Sequence, residues 1–250
     1  MEKGLVSIIT PAYNAADTLE RTIQSILVQT YPHWELLVVD DFSPDANVRK
    51  VVENYACKDE RIHYFRLAEN SGAGIARNKG VEQAQGEYIA FCDADDVWMP
   101  EKLKKQIAFM ENHDYAFTCT SYEKVDEAQK QKKIIHAKER VDYNRLLLDN
   151  PVGNSTAMYS VAKLGKHYSP PIRKRNDYGL WLQILKETPY VYGLDEVLTS
   201  YTMRSRSLSS NKLSVIKYHW ILYRDIEHLG ILRSLFHIFY FALIKVLGIK

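Results

Sequence analysis

The sequence predicts an α/β domain built on a mostly parallel central sheet flanked by helices, with a helical tail at the C-terminus. Three observations carry that expectation. Short β-branched runs alternate with amphipathic stretches through residues 1–100, a polar cluster follows each apolar run, and the last twenty or so residues are strongly apolar. At 250 residues and 46% hydrophobic content the chain can bury a sizeable core.

The elements follow in order. Leu5–Thr10 leads into Asp17–Gln29, Glu35–Val39 into Val48–Ala56, Ile62–Leu67 into Ile75–Ala84, and Tyr88–Phe91 closes the series. In the stretch opened by Asp17, the apolar residues Leu19, Ile23, Ile26 and Leu27 recur at helical spacing, and Tyr31-Pro32 ends it. One face of that helix belongs against the sheet. Open sheets of this kind bind ligands beyond the carboxyl ends of their strands. The polar clusters stand there: Pro11, Tyr13 and Asn14 after the first run, Asp40 and Asp41 after the second, Asn70–Gly74 after the third, and Asp93, Asp95 and Asp96 after the fourth.

From about Tyr115 the pattern is less regular. The charged stretch Glu123–Arg140 reads as a solvated loop or hairpin. A basic, proline-containing segment, Ser169–Arg175, precedes Asn176-Asp177-Tyr178 and a helical pattern carrying Leu180, Trp181, Ile184 and Leu185, so Asp177 sits near a helix start. In the tail, Arg233, Ser234, His237 and Lys245 fall within about one third of a helical circumference and leave a broad apolar face. Arg233 and Lys245 bracket a stretch short of the ~20 residues a bilayer span needs. The tail, residues 231–249, therefore lies on a membrane surface, packs on its own domain, or joins a homodimer. The organisation expected is one main domain over 1–213, in two halves, 1–114 and 115–213, and a C-terminal segment 214–250.

A formal net charge of +2 gives no footprint for nucleic acid. Cys57, Cys92 and Cys119, an odd count without a CxxC pair, suit a reducing, cytoplasmic compartment. Met1–Ser7 enters a strand-like run at once, unlike a signal peptide.

Asp93-Ala94-Asp95-Asp96 crowds three carboxylates at a strand end. Crowded anions call for a cation, and a hard divalent ion, Mg²⁺ or Mn²⁺, would neutralise them and bridge to a substrate diphosphate. The plainer readings are Asp96 as a cap of the next helix and the others as solvated. Asp40 and Asp41 read as turn formers, or as carboxylates able to accept an imide N–H from a nucleobase beside the Tyr13 ring. Ser71-Gly72-Ala73-Gly74-Ile75-Ala76-Arg77 departs from a dinucleotide fingerprint, with Arg77 at the sixth position and the wrong strand before it. Its glycines permit close backbone approach, and Arg77 reads as a phosphate contact or a surface ion pair. Arg204 and Arg206 read as diphosphate contacts or as part of a solvated basic loop.

Taken together, Val6–Asn14, Ser25–Tyr31, Val38–Asp41, Ala76–Gly80 and Gly86–Pro100 resemble the family 2 glycosyltransferases, in the right order, over roughly residues 1–100. Shorter likenesses follow around Asp177 and Tyr201–Ser209. The resemblance implies the GT-A fold, a Rossmann-like sheet, and transfer of a sugar from a nucleotide diphosphate donor, UDP above all, with inversion at the anomeric carbon. It implies that Tyr13 and Asp41 hold the uracil, and that Pro11, Asn14 and Arg77 are among the nucleotide-sugar contacts. It places Asp93 and Ala94 near the ribose and metal, Asp95 as the main metal ligand, Asp96 in support, and Arg204 at the diphosphate. Asp177, which on spacing alone reads as a helix N-cap, becomes the catalytic base. Bacterial members acting on lipid-linked saccharides at the inner membrane face imply such an acceptor here. Two departures stand out: Phe42 replaces the usual glycine after the acidic pair, and Asn176 replaces the usual Glu or Asp before the base. The rivals are a nucleotidyltransferase, which needs a glycine-rich triphosphate loop that Pro11–Asn14 is not, and an inactive nucleotide-sugar-binding or scaffold relative.

Overall fold

The computed structural model describes residues 1–128, 130–203 and 212–246. Ten strands among them form one sheet. The first half alternates as the sequence predicts: β1 (Glu2–Ala12), α1 (Ala16–Leu27), β2 (Trp34–Asp40), α2 (Asn47–Ala56), β3 (Ile62–Arg66), α3 (Ala73–Gln83) and β4 (Gly86–Phe91). These strands pair in parallel in the order β3-β2-β1-β4.

Period-two alternation explains the continuous apolar runs. Val6, Ile8, Leu36, Val38 and Ala90 face one core with Leu19, Ile23 and Ile26 of α1. Ile9, Leu37, Ile89 and Phe91 face the other, with Trp181 and Phe117. With both faces covered, the polar groups at the carboxyl ends of the strands are left along one edge.

The second half continues the sheet with mixed polarity. It comprises β5 (Val97–Trp98), α4 (Lys102–His113), β6 (Phe117–Val125), β7 (Gln131–Ile135), β8 (Arg140–Val141), α5 (Tyr143–Leu148), β9 (Met158–Ser160), α6 (Val161–Leu164), α7 (Asn176–Ile184) and β10 (Val191–Thr202). β9 joins β4 and β6 antiparallel, while β6 and β10 run parallel. The charged stretch expected as a loop or hairpin is the β6–β7 hairpin, with Tyr122 opposite Ile135. Helices α8 (Lys212–Ile221) and α9 (Ile231–Val246) follow, joined through a π-helical turn at Leu222–Ile226. No helix among the described residues is long and apolar enough to cross a membrane.

Gly80 lets α3 lie against β1. A Cβ there would stand 2.5 Å from Ile9 Cγ2, in a fully buried contact. Gly80→Ala is therefore expected to destabilise the fold by about 1–3 kcal/mol, read as a lowered midpoint in urea; an unchanged midpoint would mean that α3 can move off the strand.

Candidate active site

The loops after β1, β2, β3 and β4 meet at the carboxyl edge of the sheet. Tyr13 is 49% exposed there, and the next residue, Asn14, takes a positive φ of 48° and donates its N–H to Ser43 Oγ at 3.1 Å. Pro11, still within β1 opposite Val39, is buried.

The acidic pair after β2 divides its labour. Asp40 forms the turn: Oδ1 accepts from Ser43 N–H (2.9 Å) and Ser43 Oγ (2.6 Å), and Oδ2 accepts from Tyr64 OH (2.7 Å). Asp41 turns the other way. Its Oδ1 accepts from the Ser71 amide at 2.7 Å, and its Oδ2 from the Gly72 amide at 2.8 Å and Asn70 Nδ2 at 3.1 Å. Burial pushes the Asp41 carboxyl above the usual carboxylate range, against the pull of those two amides and the Arg173 charge. Gly72 has φ +94°, the conformation its place before α3 requires. Phe42, where the family resemblance leads one to expect glycine, has φ 61°, so the turn keeps the left-handed conformation at a cost of roughly 1–2 kcal/mol. Its ring lies 4.8 Å from the Arg66 guanidinium, which offsets part of that cost.

The loop after β4 holds three acids in three environments. Asp93 is half-buried; its Oδ1 accepts from Arg77 NH2 at 2.7 Å and from Asn154 Nδ2 at 2.9 Å. Ala94 packs into the core below. Asp95 is half-buried, and its carbonyl is held by Arg21 NH2 (3.0 Å) and Thr202 Oγ1 (2.7 Å). Asp96 has no exposure at all. Its Oδ1 accepts from the Thr202 N–H at 3.1 Å and its Oδ2 from Ser155 Oγ at 2.5 Å. Burial pushes its carboxyl well above the usual range, and the charges of Asp93 and Asp95 add to the shift. One expectation changes here. Asp96 does not cap the next helix, whose N-cap is Glu101. Its carboxylate lies in the core, behind the partly exposed Asp93 and Asp95.

Among the described residues no three His, Cys, Asp or Glu side chains form a ready-made metal cage. The donor set still fits a hard divalent ion of the kind held by one or two carboxylates and substrate phosphates. Asp93 and Asp95 share one loop, at a sheet edge, and their charges reach Asp96 strongly enough to shift it.

Arg77 is only 6% exposed, so the ion pair it makes with Asp93 is not a surface one. Its NH1 donates to Asn176 Oδ1 at 2.6 Å while NH2 holds Asp93. A Cβ on Gly74 would stand 2.9 Å from Asn176 Cβ, so the close approach allowed by the glycines is to this asparagine. Asp177 follows, half-buried in the first turn of α7. The N-cap is Arg175, in a left-handed conformation, so Asp177 is not the cap. Arg204 and Arg206 lie outside the described residues.

Residue-by-residue reading missed Asn154, Ser155 and Thr202. Ser155 Oγ also accepts the Asp93 N–H at 2.9 Å, and its carbonyl accepts from Trp98 Nε1 at 2.9 Å. The only sequence signal was a short polar run, Asn154–Thr156, before an apolar strand.

The glycosyl transferase family 2 profile matches residues 7–167. With that match over more than half its length, the chain belongs to glycosyl transferase family 2. Its relatives include the Bacillus subtilis glycosyltransferase TuaG, assigned by name to teichuronic acid biosynthesis, 43% identical over 93% of this chain and 92% of its own. The Escherichia coli protein WfgD, named as a UDP-Glc:alpha-D-GlcNAc-diphosphoundecaprenol beta-1,3-glucosyltransferase, is 36% identical over 100% of this chain and 96% of its own. Among solved structures, S. aureus TarS 1–349 in complex with UDP-GlcNAc superposes with a TM-score of 0.72 at 22% identity, over 95% of this chain and 71% of that one. That likeness defines the fold as GT-A, as the sequence led one to expect.

Ser155→Ala would leave the Asp96 carboxylate and the Asp93 amide short of a partner in the core. The expected loss is about 1–3 kcal/mol of stability, measured by thermal melting; an unshifted melt would mean that water replaces the hydroxyl.

Proposed function

We propose that the chain is an inverting, metal-dependent transferase that moves a sugar from a UDP-sugar to a hydroxyl of a lipid-linked saccharide in surface-polysaccharide synthesis. The observation that carries this reading is the single buried guanidinium of Arg77, which holds donor-side Asp93 and the residue before Asp177 at its two ends. That link supports a reading in which the donor side and an acceptor base act at one sheet edge. UDP as nucleotide and a polyprenyl diphosphate acceptor are supported by the name of the E. coli relative. In this reading residues 1–114 hold the nucleotide and 115–213 shape the acceptor side.

Tyr13 offers its exposed ring to the uracil, with Pro11 and Asn14 setting its loop, and Asp41 accepts the imide N–H. Asp95, with Asp93, holds Mn²⁺ or Mg²⁺, which when bound offsets the charge of the diphosphate. Ala94 gives the loop its buried anchor, and Arg204 is assigned to the diphosphate by the family resemblance. Asp177 accepts the proton of the acceptor hydroxyl, whose oxygen then attacks the anomeric carbon from the face opposite the leaving group. A single displacement inverts the configuration and needs no protein nucleophile.

The C-terminal helix supports a place at the inner membrane face. Its narrow polar side, Ser234 and His237, turns inward together with Phe241, while Leu232 is 84% and Phe239 67% exposed, beside Ile231, Leu235, Phe236 and Leu243. These six span about 140° of the helix, with exposed Arg233 on the border, a match for anionic headgroups and acyl chains.

With Mn²⁺, a panel of UDP-sugars and a diphosphoundecaprenol-linked saccharide, one donor is expected to release UDP. Asp95→Ala should lose the metal-dependent release, and Asp177→Asn should slow transfer by about 10²–10⁴-fold while still binding UDP. Transfer by Asp177→Asn at the original rate, or retained configuration in the product by NMR, would overturn the mechanism.

A chain carrying Leu232→Gln, Phe236→Gln and Phe239→Gln is expected to bind anionic phospholipid vesicles at least ~10-fold more weakly in sedimentation, with an unchanged melt. Equal vesicle binding would remove the membrane from this face.

A further inference from the structure

Two hydrogen-bonded chains tie the turn before α7 to the carboxylates after β2 and β4. In the first, Arg173 NH1 and NH2 donate to Asn70 Oδ1 (3.1 Å) and Asn70 O (3.0 Å), and Asn70 Nδ2 donates to Asp41 O and Oδ2, both at 3.1 Å. In the second, Asn176 Oδ1 accepts from Arg77 NH1, whose NH2 holds Asp93. The first chain ends on the carboxylate after β2, the second on the carboxylate after β4. The two ends of a nucleoside diphosphate would therefore each meet one of them.

The start of α7 needs such outside support. Its N-cap residue, Arg175, sits at φ 65°, a conformation that L side chains adopt with strain, and supplies no side-chain cap bond. The loop before it is pressed on the helix by Pro170, which leaves no room for a Cβ on Gly179: the nearest ring carbon would be 2.5 Å away. The first helical turn, which carries Asp177, is held on its core side by Tyr178, whose OH donates to Leu146 O at 2.6 Å, and on the other side by Arg173 and Asn176 and through them by Asp41 and Asp93.

Building on the donor reading above, we infer that Arg173 and Asn176 are positioning residues that couple occupancy of the nucleotide site to the placement of Asp177. A ligand that engages Asp41 or draws Arg77 and Asp93 toward itself changes the pull on both chains at once. Coupling of this kind is reciprocal: loosening the turn must also weaken nucleotide binding.

The test uses the full chain, UDP and Mn²⁺, with hydrogen exchange read at the amides of residues 174–178 and affinity read by calorimetry. In the wild type, UDP is expected to slow exchange there by about 10-fold. In Arg173→Ala and Asn176→Ala that protection should disappear and UDP affinity should fall by about 3- to 10-fold, with kcat for transfer lower on the order of 10- to 100-fold. Asn176→Asp keeps an oxygen for Arg77 and should keep the protection, which separates positioning from general damage to the fold. Arg173, being at the surface, can be replaced without opening the core. Undiminished protection in both alanine variants overturns the coupling and leaves the donor reading intact. Failure of UDP to bind the wild-type chain overturns the donor reading, and this inference with it.

Discussion

The Arg77 guanidinium lies almost wholly out of solvent between the loop after β4 and the start of α7, and a buried cation must be matched by partners within hydrogen-bond reach. Asp93 supplies the charge and Asn176 the second acceptor. Because Arg77 sits on α3, three elements distant in sequence are brought to a common point by one side chain. Gly80 sets the depth of α3 against β1, and Gly74 allows α7 to approach its first turn. Packing at two glycines therefore decides where the charged groups can stand.

The same logic separates five aspartates of one type into different tasks. Asp40 is enclosed by its own turn, and Asp96 by Ser155 and Thr202, and both serve the backbone. Asp41 is buried yet ringed by amides, a setting in which an acceptor is oriented without a protein cation in direct contact. Asp93 and Asp95 keep partial exposure at the edge. Burial and donors, more than identity, decide which carboxylates remain available to a ligand or an ion.

The first half of the fold was legible because its signals are local. β-branched runs, the Leu19–Ile26 stripe and the Pro32 stop each act over a few residues. The rest depends on long-range pairing. β9 has three residues and is a strand only because β4 and β6 lie on either side of it, and β10 pairs with β6 through two register shifts. The N-cap reading of Asp177 failed for a similar reason: a left-handed Arg175 takes the cap position, and nothing in the local sequence announces a positive φ at an arginine. Asn70 and Arg173, 103 residues apart, form a contact that no spacing rule could suggest. The Asp95 loop was recognisable as an acidic cluster, but the burial that withdraws Asp96 from it comes from Ser155 and β10.

The tail shows how one amphipathic pattern can be turned either way. A broad apolar face on a terminal helix ordinarily faces the core, yet here α9 meets the domain with its narrow side. Phe241 packs 4.2 Å from the His219 ring, and His237 lies 5.5 Å from Tyr223. Tyr223 and His219 in turn pack edgewise on Tyr178, the residue after Asp177. The inner side of α9 is satisfied by aromatic rings and by Arg175, whose guanidinium lies 5.5 Å from the Phe241 ring. Outward-facing Leu232 and Phe239 gain nothing from the fold in return for their exposure, since each would contribute about 1.5–3 kcal/mol if buried. A surface that takes up those residues would meet the helix that leans on Arg175 and Tyr178, and would thereby stand next to the first turn of α7.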